Sequence, residues 1–190
     1  DDSRYTISGE IRSKAENYKT QYGLNEGKTL LFVGRLVDVK NLPSLFLACS
    51  FLKFKYKLIV VGDGALREEL EKKASKLQIS IEFVGRKNGE DLIAWYYCAD
   101  VFVLPSLMEA FGAVTNEALL CGCNCVVSKV AGAACLIEEG KNGYLVDPYS
   151  VEDIAAKITK ACQLPIGAER SSKMPMTFAS AMKNMEDEIN

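Results

Sequence analysis

Apolar runs and helix-period runs alternate along the chain. "TLLFVG" (29–34), "KLIVVG" (57–62), "IEFVG" (81–85), "VFVLP" (101–105), "CVVS" (125–128) and "GYLVD" (143–147) are rich in β-branched residues and nearly free of polar interruptions. Strands with one wet face alternate polar and apolar residues, whereas continuous apolar strands belong to a parallel sheet covered on both faces. Between these runs lie helical patterns at 41–52, 65–77, 90–99, 112–122, 133–140 and 151–162. The clearest is 65–77, where Leu66, Leu70, Ala74 and Leu77 recur at three- and four-residue spacing with charges elsewhere. Strand–helix alternation of this kind builds βαβ units, so the pattern predicts an α/β protein with a Rossmann-like, doubly wound parallel sheet of about six strands.

Punctuation sharpens that expectation. Gly34, Gly62, Gly85 and Pro105 close four of the apolar runs, where a strand gives way to a loop. In open parallel sheets, ligands gather beyond the carboxyl ends of the strands. The residues there, Arg35, Asp63, Arg86 and the 106–117 segment, are the ones expected to carry chemistry. Residues 27–165 form the predicted domain, preceded by a linker or helix at 1–26 and followed by a linker and a final helix from about Thr177. The polar start "DDSRYTISGE" leads into "EIRSKAENYKTQYGLNEGK" and reads as the interior of a longer protein.

Composition narrows the options. The chain has 190 residues, 48% apolar and 25% charged, enough for one core. Its formal net charge of −2, without a dominant basic block, gives a nucleic-acid partner little support. Histidine is absent, so neither a Ser–His–Asp triad nor a His-ligated zinc can be assembled from these residues. The seven cysteines include "CGCNC" (121–125), which lacks paired CxxC spacing and reads as small buried thiols. "VGDGALREEL" (61–70) is half a dinucleotide fingerprint, on the second strand and without its third glycine, so NAD is not expected.

Two constellations remain. In "EAFGAVTNE" (109–117) a helix is expected to start near Gly112, and its first N–H groups and positive dipole end suit an anion. Glu109 lies in the loop before it and Glu117 about one and a half turns inside. Paired carboxylates at such places can grip vicinal hydroxyls, although solvated glutamates fit the spacing equally. In "FVGRLVDVKN" (32–41), Arg35 and Lys40 can both reach the sheet's carboxyl edge and neutralise a diphosphate. Taken alone, they also fit ordinary surface cations. "WYYC" (95–98) is read as core packing, with a partner face as the alternative.

Jointly the strings "FVGRLVDVKN", "LIVVGDGALREELE", "IEFVGRKNGEDLIAWYYCADVFVLPSLMEAFGAVTNEALLCGCNCVVS" and "EEGKNGYLVDP" resemble retaining, nucleotide-sugar-dependent glycosyltransferases of family 4 of the GT-B fold. The resemblance covers about residues 27–165 and is to the C-terminal, donor-binding half. The N-terminal acceptor domain has no counterpart here. It implies a sugar donor (UDP-, GDP- or ADP-sugar), a carbohydrate or lipid-linked acceptor, the protein's own N-terminal domain as partner, and neither cofactor nor metal. By the same resemblance Arg35 and Lys40 hold the diphosphate and Glu109 contacts the donor sugar. Glu117 grips the ribose. Backbone from Phe111 through Gly112 and Ala113 to Val114 cradles sugar and phosphate, and Gly34, Gly85 and Arg86 line the donor site. It further implies a cytoplasmic protein, with attachment to the inner membrane face left open through the other half.

Three positions depart from the family pattern: Ala131, Cys135 and Asn124 stand where Gly, Glu and Pro are usual. A phosphorylase, a sugar-nucleotide epimerase and a non-catalytic partner domain of the same fold are the competing expectations. A fragment limited to this half is expected to bind nucleoside diphosphate weakly and to transfer no sugar.

Overall fold

A computed structural model describes residue 5, residues 7–166 and residues 172–175. The expected final helix from Thr177 lies outside the described residues. Six strands form a single parallel sheet: β1 (Lys28–Val33), β2 (Tyr56–Val61), β3 (Ile81–Gly85), β4 (Val101–Leu104), β5 (Asn124–Ser128) and β6 (Gly143–Val146). Their spatial order is β3-β2-β1-β4-β5-β6. This is the doubly wound order, and it reverses direction between β1 and β4. The register is continuous across that reversal, with Leu30 opposite Val101 and Leu31 opposite Phe102.

The continuous apolar strands are accounted for by helices on both faces. α2 (Leu42–Ser50), α3 (Arg67–Leu77) and α6 (Val151–Ala161) form one layer; α1 (Gly9–Tyr22), α4 (Gly89–Cys98) and α5 (Ala113–Leu120) form the other. In α3, Leu70 and Ala74 are buried while Leu66 and Leu77 pack at the margin of the core, as the spacing predicts. Ser8 caps α1 by accepting a hydrogen bond from the Ile11 amide, and left-handed Gly23 ends it.

α1 comes from the stretch expected to be linker or helix, and it is a packed part of the second layer. Tyr18 stacks on Trp95 with ring centroids 4.4 Å apart, and Tyr22 leans on the same indole at 5.2 Å. Trp95, Tyr96, Tyr97 and Cys98 are all buried, so "WYYC" is core, and α1 is what buries its outer side. No described helix is long and apolar enough to cross a membrane.

One predicted helix differs. Residues 133–140 form only a short 3-10 turn over Gly132–Leu136. The Asn142 side chain ends it: its amide donates to the Leu136 carbonyl at 2.9 Å and its oxygen accepts from the Glu138 amide at 2.8 Å. These bonds replace the ladder a longer helix would need. At another departure from the family pattern, Asn124, the side-chain amide donates to the carbonyls of Ala161 and Leu164 and thereby secures the end of α6 against β5.

Six cysteines are buried, Cys135 is exposed, and none is in a disulfide. Burial pushes the Cys125 thiol well above its ordinary range and Cys162 up to about 12; Cys49 and Tyr56 are also raised by burial. Thiols of the unfolded chain ionise near pH 8.5. These groups are raised in the fold, so their contribution is complete below that pH and declines above it, as the unfolded chain releases protons first. The urea midpoint, measured with reductant present, is therefore expected to stay level from about pH 6 to 8 and fall steadily toward pH 11.

Candidate functional site

The loops leaving β1 and β4 stand on either side of the point where strand order reverses. The β1 loop runs through Gly34 and Arg35 into a 3-10 turn, Asp38–Lys40. The β4 loop carries Ser106 to Gly112. The two are stitched together: the Leu107 amide donates to the Val39 carbonyl at 2.8 Å. Asn41 adds a second tie. It is buried in the left-handed conformation (φ 58°), and its side-chain amide donates to Pro105 O at 3.1 Å and Pro148 O at 2.7 Å. Asparagine tolerates that backbone region better than other L-residues. One side chain thereby holds the loops after β1, β4 and β6.

Across this seam the Lys40 ammonium and the Glu109 carboxylate form a direct ion pair. Their side chains are only 13% and 16% exposed. The pair sits at the mouth of β1, where a β-carbon on Gly34 would lie 3.7 Å from Lys40 Cε. It also borders the start of α5, where a β-carbon on Gly112 would come within 3.4 Å of Glu109 Cγ and 3.0 Å of Ala133 Cβ. Gly112 is left-handed (φ 80°), a conformation that favours glycine, and no side chain caps the helix that follows. The start of α5 therefore carries no side-chain cap, and its positive dipole end suits an anion, although the Thr115 amide is already bonded to the Gly112 carbonyl at 2.8 Å. Behind them, the Gly132 amide donates to Glu109 O at 2.9 Å, and Ala131 pairs with Glu109 as an isolated bridge. The 131–136 segment thus backs the glutamate loop.

Next to this cluster, at the ends of β1, β2 and β3, is a cleft of about 420 Å³ lined by Gly34, Arg35, Gly62, Asp63, Arg86 and Lys87. Arg35 and Arg86 are exposed, and with Lys87 they bring three cationic side chains to the cleft. Gly85 stands at its back, where its carbonyl accepts from the Gly62 amide at 2.9 Å. Phe111 is 71% exposed and Ala113 is exposed, whereas Val114 is half-buried. What residues 111–114 present at this edge is therefore mainly backbone and one open ring.

Glu117 is placed differently from Glu109. It lies in the second turn of α5 and its oxygens each accept a tyrosine hydroxyl: Oε1 from Tyr5 at 2.9 Å and Oε2 from Tyr96 at 3.0 Å. The structure thus joins Lys40 to Glu109, sets Arg35 beside Arg86, and gives Glu117 its own aromatic setting. Sequence reading missed Asn41, Tyr5 and Tyr96. An asparagine just before a Leu-Pro helix start was the available signal for the first; nothing local signals the other two.

The sequence model of the family described as Glycosyl transferases group 1 matches residues 14–177. The chain belongs to this family. An uncharacterised glycosyltransferase of Methanocaldococcus jannaschii is 35% identical over 144 residues, 73% of this chain and 37% of that protein. A D-inositol 3-phosphate glycosyltransferase of Thermomonospora curvata is 32% identical over 178 residues, 86% of this chain and 41% of that protein. The chain therefore spans about two fifths of the length of these curated relatives. Among solved structures, Anabaena HepE in complex with UDP-glucose superposes with a TM-score of 0.77 at 26% identity, over 86% of this chain and 46% of that one. The fold is thus the Rossmann-like kind that makes up one half of a GT-B glycosyltransferase.

Proposed function

We propose that this chain is the donor-binding half of a retaining glycosyltransferase, which moves a sugar from a nucleoside diphosphate sugar to an acceptor hydroxyl. The observation that carries the proposal is the meeting of Lys40 and Glu109 at the strand-order reversal, beside the uncapped start of α5 and the cationic cleft. The names of the relatives, and the UDP-glucose bound to HepE, support the same reading.

In this reading the diphosphate lies between Arg35, Lys40 and the first amides of α5. The bond from the anomeric carbon to the diphosphate breaks, with its electrons passing to the diphosphate. Cations and helix amides aimed at that developing charge stabilise the transition state more than the ground state. An acceptor oxygen takes the carbon, and its proton passes to the departing diphosphate. Glu109 holds a sugar hydroxyl near the reacting carbon, and its pairing with Lys40 keeps both groups placed before the donor arrives. Glu117 grips the ribose, and Gly85 and Arg86 line the base. No metal or other cofactor is assigned a role, and the acceptor is a carbohydrate or lipid-linked hydroxyl brought by an N-terminal domain.

Calorimetric titration of the chain with UDP, GDP and ADP tests the binding half of this proposal. At least one is expected to bind, more weakly as salt is raised, because exposed Arg35 and Arg86 are screened. Arg35→Ala is expected to weaken that binding. Failure of all three nucleotides to bind overturns it.

A further inference from the structure

We propose that Tyr5 and Tyr96 are positioning residues that aim the Glu117 carboxylate, and that through it they set the preference for a ribose over a 2′-deoxyribose nucleotide. This rests on the reading of Glu117 as the ribose grip. A carboxylate accepts through about four lone-pair sites, two on each oxygen. Here each oxygen is engaged once, by Tyr5 at 2.9 Å and by Tyr96 at 3.0 Å, which leaves one site on each for a diol. A glutamate's terminal torsion is otherwise broad, so a carboxylate without such partners swings and holds no fixed direction. Two donors, one on each oxygen, remove that freedom.

Both donors are themselves held. Tyr96 is fully buried on α4, its ring edge-on to Phe102 with centroids 6.0 Å apart. Burial and the Glu117 charge raise its phenol well above the usual range, so it remains a donor wherever the carboxylate is ionised. Tyr5 is buried ahead of α1, and the Tyr97 hydroxyl donates to its backbone oxygen at 3.0 Å. The three aromatic residues of "WYY" thus divide the work: Trp95 seats α1, Tyr97 seats Tyr5, and Tyr96 meets Glu117 directly. Core packing alone requires neither hydroxyl on Glu117.

Tyr96→Phe and Tyr5→Phe keep the rings and remove only the hydroxyls. Affinities of the chain and its variants for UDP, GDP and ADP are compared with those for the matching 2′-deoxy nucleotides. Wild type is expected to favour the ribose form by roughly tenfold or more, the scale of a hydrogen bond to a charged group. Glu117→Gln reduces that ratio sharply, and each tyrosine variant reduces it by at least about threefold, with circular dichroism and urea midpoint reporting the fold. Should Glu117→Gln abolish the preference while both tyrosine variants keep it, the tyrosines' role is overturned and the ribose grip stands. A wild type that shows no preference overturns the grip and the tyrosines together. Absence of any nucleotide binding overturns both as well.

Discussion

Lys40→Ala is expected to lower kcat for sugar transfer by about 10²–10³-fold in the full-length protein, the loss that follows removal of one donor to a developing oxyanion. The expectation follows from where Lys40 stands. Its stem passes Gly34 at the end of β1, and its ammonium reaches Glu109 on the far side of the strand-order reversal. No other described cation is paired with Glu109. The substitution also leaves Glu109 without a partner in largely dry surroundings, which costs stability. Lys40→Met combined with Glu109→Gln separates the two effects, since it removes both charges and keeps the shapes. That double variant is expected to recover the urea midpoint and to remain impaired in transfer. Transfer within about threefold of wild type in both variants removes Lys40 from the mechanism.

Gly62→Ala is expected to be the most damaging single methyl in the site, lowering stability by about 3 kcal/mol or more and weakening nucleotide binding with it. Gly62 has φ 143°, a conformation that L side chains rarely adopt, and its β-carbon would fall 1.8 Å from Gly34 O. Backbone strain of that kind alone costs of order 1–3 kcal/mol. The clash adds to it, because Gly34 is itself bonded through its amide to Val61 O at 3.0 Å and can move only with β1 and β2 together. That movement displaces Arg35, so binding and stability fall in one variant. Urea unfolding and calorimetry on the same preparation check both; an unchanged midpoint refutes the packing argument. The result also accounts for "VGDG". The half-fingerprint resembles a cofactor loop because glycine permits close approach, and here what approaches is the neighbouring loop's carbonyl.

Much of this was readable from particular residues. Apolar strands ending at Gly34, Gly62, Gly85 and Pro105 located the carboxyl edge of the sheet, since a strand buried on both faces is built mostly from apolar side chains. Glu109 and Lys40 were both placed at that edge by their distance from the strand ends. Other features were hidden for a physical reason. The bond from Tyr5 to Glu117 joins residues 112 positions apart, and no periodicity encodes a contact of that range. The 3-10 turn at Gly132–Leu136 looked helical because its residues have helical propensity, which the Asn142 side chain overrides locally. The departure at Asn124 had no visible purpose in one dimension; its purpose is the carbonyls at the end of α6.

The sequence by itself determined the class of fold, the number of strands, the edge at which chemistry gathers and the residue types available there. Those depend on local properties: burial pattern, glycine and proline at strand ends, and the polar atoms each side chain carries. The tertiary structure alone decided which of these residues meet. Placing β4 beside β1 brings Lys40 to Glu109, and packing α1 on α4 brings Tyr5 to Glu117. Such pairings are settled by how sheet and helices bury their apolar faces together, a property of the whole core that no single stretch of sequence contains.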